Sequence, residues 1–201
     1  MKLLFAHGWG FDRTFWTPLI ALLPECEAVT DDRGYFGAPA EPLVEGPCIA
    51  VTHSFGTMRV LSAPPPGLVG VVAINGFERF SGDTGVPVRV LDRMIRRFAT
   101  DPRAVLTEFR HSVGCTDPFG EIAPEPLAAD LLRLRDACAT LPQVPVLAIH
   151  GEADPLLPPA MRAATFAGAD VQRIDAAGGH LLPLEAPDLC AAAIRGMLGH
   201  V

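Results

Sequence analysis

The chain has 201 residues, 49% hydrophobic and 19% charged, with a formal net charge of −7. That length suits one domain with room for an insertion, and such a chain buries about 70% of its unfolded surface. The acidic balance argues against nucleic acid as a partner, and no segment approaches the roughly eighteen apolar residues of a membrane span.

The opening MKLLFAHGWG does not read as a signal peptide, because its apolar run covers only Leu3 to Ala6. The five cysteines (Cys26, Cys48, Cys115, Cys138 and Cys190) are scattered, and none forms a C-x-x-C pair. Free thiols in a reducing cytosol are therefore expected, rather than a disulfide framework or a zinc site.

Short β-rich runs alternate with helical patterns. KLLFA ends at His7-Gly8 and TFWTPLIALLP follows as a helix. EAVTDD ends at Asp31-Asp32. The next segment, RGYFGAPAEPLVEGP, holds three prolines and three glycines, so an irregular crossover is expected there instead of a helix. CIAVTHS runs into the helical FGTMRVLSA, and LVGVVAING ends at Asn75-Gly76. VPVLAIHG precedes the helix PAMRAATFA, and DVQRIDA precedes AGGH and the helix PDLCAAAIRGML. Continuous apolar runs suit parallel strands covered on both faces, and the alternation predicts an α/β fold with a mostly parallel sheet of about six strands.

Residues 76–141 break that rhythm. VRVLDRMIRRFAT, DPRAVLTEFRHSV and EPLAADLLRLRDACATL read as three helices, the second with Asp101 as N-cap and Pro102 at its first position. The expected organisation is a core of residues 1–75 and 142–201 with a helical cap of residues 76–141 inserted between two strands.

The candidate chemistry lies where strands end. Thr52-His53-Ser54-Phe55-Gly56 has the form of a G-x-S-x-G nucleophile elbow, with Thr52 in place of the first glycine. Asp154 follows VLAIHG by a short loop, and His180 follows VQRIDAAGG. The order Ser…Asp…His suits a triad in which Ser54 attacks a carbonyl, His180 takes its proton and Asp154 fixes the imidazole. An oxyanion needs two backbone N–H donors: Phe55 after the nucleophile, and Trp9 in the HGWG loop. Bland readings stand beside these. Ser54 could cap a helix, Asp154 could cap a loop before Pro155, Asp175 is a rival acid and His180 could be a plain loop histidine. His53 is expected to pack beside the elbow, His7 and His150 to hold loop geometry, and Trp16 to be a core aromatic. Histidines and carboxylates show no metal-ligand spacing, and the chemistry calls for no cofactor.

LLFAHGWG, DDRGYFG, THSFGT, HGEADPLLP and GGHLLPLEAP resemble, in order, the landmarks of the α/β-hydrolase superfamily. Relative to that family the sheet is N-terminally shortened. HGWG and the cap pattern resemble more narrowly the pimeloyl-acyl carrier protein methyl ester carboxylesterases of biotin synthesis. The resemblance implies a cytoplasmic serine esterase, a monomer, acting on an acyl chain carried by acyl carrier protein.

The cap segment bears on that partner. Residues 86–113 hold six arginines against Asp92, Asp101 and Glu108. Arg89, Arg93, Arg96 and Arg97 share one helix face, with Leu91, Met94, Ile95 and Phe98 opposite and Asp92 placed to offset Arg96. Such a row suits an acidic partner or a phosphate, or it is simply a solvated helix face. In the resembled family, cap arginines dock the carrier protein. The same triad would also serve a small-acyl carboxylesterase or thioesterase, or C–C hydrolysis of a diketone, and the fold could be a non-catalytic binding protein.

Overall fold

The computed structural model describes residues 1–199, so the last two residues of the expected core segment lie outside it. Six strands form one sheet: β1 (Lys2–Ala6), β2 (Glu27–Thr30), β3 (Cys48–His53), β4 (Leu68–Ile74), β5 (Val146–Gly151) and β6 (Val171–Ala176). Their order is β2-β1-β3-β4-β5-β6 and every pairing is parallel. The chain steps outward from β1 to β2, then crosses back over β1 to β3 and continues the other way. That reversal makes a switch point between β1 and β3, where a parallel sheet opens a crevice for ligands. Ala6 is in register with Thr52, so the HGWG loop and the elbow leave the sheet side by side.

Alternation along the strands divides the core. Leu3, Phe5, Ile49, Val51, Val72, Ile74, Leu147 and Ile149 face one side. They pack against a 3-10 turn (Arg13–Trp16), helix α1 (Thr17–Ala21) and the C-terminal helix α8 (Pro187–Leu198). Val71, Ala73, Val146 and Ala148 face the other side with Leu61 of α2 (Phe55–Ser62) and Phe166. The central strands β3 and β5 are buried throughout. The edge strands differ from the sequence expectation of cover on both faces: β2 and most of β6 are partly or fully exposed, because each has a neighbour on one side only.

The crossover between β2 and β3 contains no helix, as its prolines and glycines predicted. Asp32 and Ala40 instead exchange two backbone hydrogen bonds of 2.8 and 2.9 Å, closing the loop on itself. Three helices follow β4: α3 (Val88–Phe98), α4 (Pro102–Ser112) and α5 (Pro124–Asp136). Asp101 caps α4 by accepting from the Ala104 N–H at 3.0 Å. Helix α5 stops five residues before the expected Leu141, because Cys138 and Ala139 turn back to pair with Arg79 and Glu78. The helix α6 (Pro159–Ala164) also ends early: Thr165 is extended, and Phe166, at φ 57°, tucks fully buried into the core. A short helix α7 (Leu182–Glu185), absent from the sequence expectation, follows His180.

One further cluster places the site. Leu91, Phe98, Val105, Leu106, Leu127, Leu131 and Leu134 of α3–α5 pack with Trp9, Phe55 and Leu157. Those last three residues belong to the loop after β1, the elbow and the Asp154 loop. The helical segment thus covers the carboxyl end of the sheet.

Candidate active site

Ser54 sits between β3 and α2 at φ 52° and ψ −126°, a conformation that a non-glycine residue adopts at a cost of roughly 1–3 kcal/mol. Its main chain is held on both sides, by Ser54 N–H to the Ile74 carbonyl at 3.1 Å and by Thr57 N–H to the Ser54 carbonyl at 3.0 Å. The side chain does not cap α2. The capping alternative therefore fails, and Oγ has no hydrogen-bond partner among the described residues.

The residues around Ser54 explain how the elbow forms without its first glycine. A Cβ at Gly56 would lie 2.2 Å from the Ala6 carbonyl oxygen, so glycine is required there. Thr52 is tolerated because its hydroxyl is paired with that of Thr57 at 2.7 Å and donates to the Val72 carbonyl at 3.2 Å. Thr57 finds its room at Gly76, where a Cβ would lie 2.2 Å from Thr57 Oγ1. The departure at residue 52 is thus absorbed by a hydroxyl pair and a glycine on the adjacent strand end.

Asp154 and His180 meet. Nδ1 of His180 donates to Asp154 Oδ2 at 2.7 Å, with both side chains essentially out of solvent. Asp154 Oδ1 accepts from the Leu156 and Leu157 N–H groups at 2.7 and 3.3 Å, which fixes the carboxylate plane. Donation from Nδ1 leaves Nε2 as the basic nitrogen. Nε2 is buried and has no hydrogen-bond partner among the described residues. The rival Asp175 lies exposed on β6, paired in register with His150.

The His180 main chain is clamped to the elbow. Its carbonyl accepts from His53 Nε2 at 2.9 Å and from Asn75 Nδ2 at 2.8 Å. His53 precedes Ser54, so this bond ties the histidine loop directly to the nucleophile turn. The rings of His53 and His180 lie 4.8 Å apart, and His53 stacks on Phe15 at 4.5 Å. Burial pushes the His53 imidazole well below the usual histidine range, and the neighbouring His180 adds to the effect, so His53 stays neutral. Asn75, at φ 47°, also donates to the Gly179 carbonyl at 3.0 Å and accepts from the Gly151 N–H at 2.7 Å. It therefore joins the ends of β4 and β5 to the histidine loop. Glu185 on α7 closes that loop from outside by accepting from the Gly179 N–H at 2.5 Å. Asn75 and Glu185 were not singled out from sequence. Asn75-Gly76 reads there only as the end of a strand, and only the positive φ of a residue with a forked amide marks it.

On the other flank, a Cβ at Gly8 would stand 3.0 Å from Ser54 Cβ, which puts the HGWG loop against the elbow. His7 shapes that loop: Nδ1 donates to the Gly8 carbonyl at 2.9 Å, and Nε2 accepts from the Arg33 N–H at 3.0 Å. Burial holds His7 below its ordinary value, consistent with the neutral form these bonds require. The main-chain N–H groups of Trp9 and Phe55 take no protein acceptor among the described residues, and Phe55 opens α2, whose dipole favours negative charge there. Trp16 is fully buried against Phe5 and Phe15.

The arginines lie elsewhere. Arg89, Arg93, Arg96 and Arg97 are all exposed on α3. Arg97 forms a forked pair with Glu108 at 2.6 and 2.7 Å, while the other three have no ion-pair partner among the described residues. Asp92 does not offset Arg96 as expected; it pairs with Arg135 of α5 at 3.4 Å. Leu91 and Phe98 are buried and Met94 and Ile95 partly so, as the apolar stripe predicted.

Ser54 itself is 6% exposed. Clefts of about 670 Å³, between α2 and the crossover, and about 370 Å³, beside residues 78–85, are lined by neither Ser54, Asp154 nor His180. Among the described residues no cluster of three or more His, Cys, Asp or Glu could hold a metal ion, and no helix is long and apolar enough to cross a membrane.

The fold is shared with solved structures of an esterase, an enol-lactonase and a bromoperoxidase. An esterase from Thermogutta terrifontis superposes with a TM-score of 0.79 at 19% identity, covering 100% of this chain and 90% of the other. The enol-lactonase from Burkholderia xenovorans LB400 gives 0.80 at 17% identity, over 98% of this chain and 91% of the other. A bromoperoxidase from Bacillus anthracis gives 0.76 at 18% identity, over 98% and 92%. No curated protein matches the sequence. The model of the alpha/beta hydrolase family matches residues 3–193. With nearly the whole chain covered, and with the parallel sheet and its strand-end loops in place, this protein belongs to the alpha/beta hydrolase family.

Proposed function

We propose that the protein is a serine carboxylesterase acting through an acyl-enzyme. One observation carries this reading. The buried Asp154–His180 pair leaves Nε2 without a partner, and the His180 carbonyl is bonded to His53, the neighbour of Ser54; no hydrogen bond joins Ser54 Oγ to Nε2 among the described residues, and Ser54 itself is strained and uncapped. Ser54 Oγ attacks the ester carbonyl while His180 Nε2 takes its proton. The Trp9 and Phe55 N–H groups receive the oxyanion, and Asp154 stabilises the imidazolium. His180 then protonates the leaving alcohol, and water, activated by the same nitrogen, releases the acid. The esterase and enol-lactonase among the similar structures carry activities compatible with attack on an ester carbonyl.

Residues 76–141 act as a cap in this reading, since their helices share one apolar cluster with the loops of the site. The finer proposal is that the substrate is a pimeloyl methyl ester on acyl carrier protein, with methanol leaving and the acyl arm lying between cap and sheet. Its support is the exposed arginine face of α3, on which Arg89, Arg93 and Arg96 have no ionic partner. The second reading, a general small-acyl esterase, is supported by the covered position of Ser54. Turnover of carrier-bound against free pimeloyl methyl ester separates them. Preference for the carrier-bound ester supports docking, and equal turnover favours the general esterase. No turnover of either, with no turnover of p-nitrophenyl acetate, rejects the enzyme.

A further inference from the structure

The HGWG loop is held from two sides. His7 and Gly8 are fixed from the core, by the His7 ring and the Arg33 N–H. Trp9 and Gly10 are fixed from the helices above. The Trp9 indole N–H donates to the Leu127 carbonyl of α5 at 2.9 Å, and its ring meets Phe109 of α4 edge-on at 4.8 Å. The Gly10 carbonyl accepts from Arg110 Nη1 of α4 at 2.8 Å.

Arg110 is an unusual residue for that place. It is 7% exposed and has no carboxylate partner among the described residues. Its guanidinium instead lies near the rings of Phe11, Phe119 and Phe36, at 4.9, 5.4 and 5.9 Å. Nη2 reaches Cys115 Sγ at 3.0 Å and the Asp117 carbonyl at 3.4 Å, and Nε has no acceptor. A buried cation without a counter-ion is costly, and replacing it with an apolar side chain would remove that cost. Its retention beside Gly10 needs a reason, and the fork supplies one. One arm grips the loop that bears the Trp9 N–H, and the other grips the segment that follows α4.

We propose that Arg110 is a positioning residue for the oxyanion hole. Through Gly10, and together with the indole bond to Leu127, it ties the loop that bears the Trp9 amide to helices α4 and α5. This rests on the esterase reading of Ser54.

The test uses the full chain with p-nitrophenyl acetate as substrate and an alkyl boronic acid as tetrahedral mimic. Arg110→Met, Arg110→Lys and Trp9→Phe are compared with the unmodified protein, whose Ser54 is first shown to react with a fluorophosphonate. Arg110→Met is expected to lower kcat about 10- to 100-fold with KM little changed, and to weaken boronate binding in parallel. Arg110→Lys, which keeps a cation but loses the fork, should fall between. Trp9→Phe keeps the main-chain N–H and loses the indole bond, so it should lower kcat in the same sense. If Arg110→Met does not fold, Arg110→Lys and Trp9→Phe decide. Folded variants with unchanged kcat and boronate affinity, or with a rise in KM alone, would overturn this role while leaving the esterase reading intact. An unreactive Ser54 in the unmodified protein would overturn both.

Discussion

At the rim of the sheet, Asp154 and His180 are almost wholly removed from water. Each Asp154 oxygen there accepts a hydrogen bond, and the His180 carbonyl accepts two. On the outer face of α3, Arg89, Arg93 and Arg96 stand in solvent without ionic partners, and Arg97 has only the surface Glu108. A desolvated polar group must be matched, and around His180 the Nδ1 proton and the carbonyl are matched while Nε2 has no partner among the described residues. A hydrated arginine carries no such demand, and an exposed ion pair contributes little to stability. Geometry therefore speaks strongly for the rim and weakly for the helix face, and the two call for different experiments.

The largest effects should come from the rim. Ser54→Ala should lower kcat/KM for p-nitrophenyl acetate by about 10⁴-fold or more, and Asp154→Asn by about 10⁴-fold through the wrong histidine tautomer. A drop of less than tenfold in either would place the chemistry elsewhere. Asn75→Ala leaves one donor on the His180 carbonyl and strips the acceptor from the Gly151 N–H. It should cut kcat about 10- to 100-fold, measured beside thermal unfolding to confirm that the variant is folded.

The helix face should respond only to a charged partner. Arg93→Glu combined with Arg96→Glu is expected to leave free-ester turnover unchanged and to slow carrier-ester turnover by roughly tenfold at low salt. Equal turnover of the carrier ester by the variant and the unmodified protein would reduce the arginine row to a solvated surface.

Smaller effects sharpen the burial argument. Thr52→Val removes a hydroxyl from a buried pair and should lower unfolding stability by about 1–3 kcal/mol, read from urea midpoints, while esterase activity survives. Burial also lowers His7, His53 and His150 below the ordinary histidine value, so the folded protein binds fewer protons than the unfolded chain. Their contribution to stability is complete above about pH 6.5 and is lost as pH falls below it. Urea midpoints at pH 8, 6.5 and 5 should be level over the first interval and drop over the second. A midpoint that stays level to pH 5 would contradict the neutral burial of these rings.

The parts legible in the sequence were those with a local signature. Six short β-rich runs mark the six strands, and Ser54, Asp154 and His180 follow the ends of β3, β5 and β6 as the sequence places them; of the three, the structure joins Asp154 to His180. The proline-rich crossover was equally plain. What escaped depended on contacts far apart in the chain. Asn75 matters through residues 149, 151, 179 and 180, and nothing near it in sequence points there. Arg110 read as one more cap arginine until the structure buried it beside Gly10. The partner of Asp92 was misjudged because a neighbouring helix supplied Arg135, closer in space than the residue one turn away. Exposure of β2 and β6 follows from their edge positions, which the polar residues of EAVT and VQRIDA already reflect.

The central claim is that Ser54 becomes nucleophilic because His180, oriented by Asp154, withdraws its proton. Intact-mass analysis after treatment with a fluorophosphonate, followed by peptide mapping, tests it most directly. The account predicts a single adduct on Ser54 of the unmodified protein and loss of that adduct in His180→Ala. An unmodified Ser54, or equally fast labelling without His180, would contradict it.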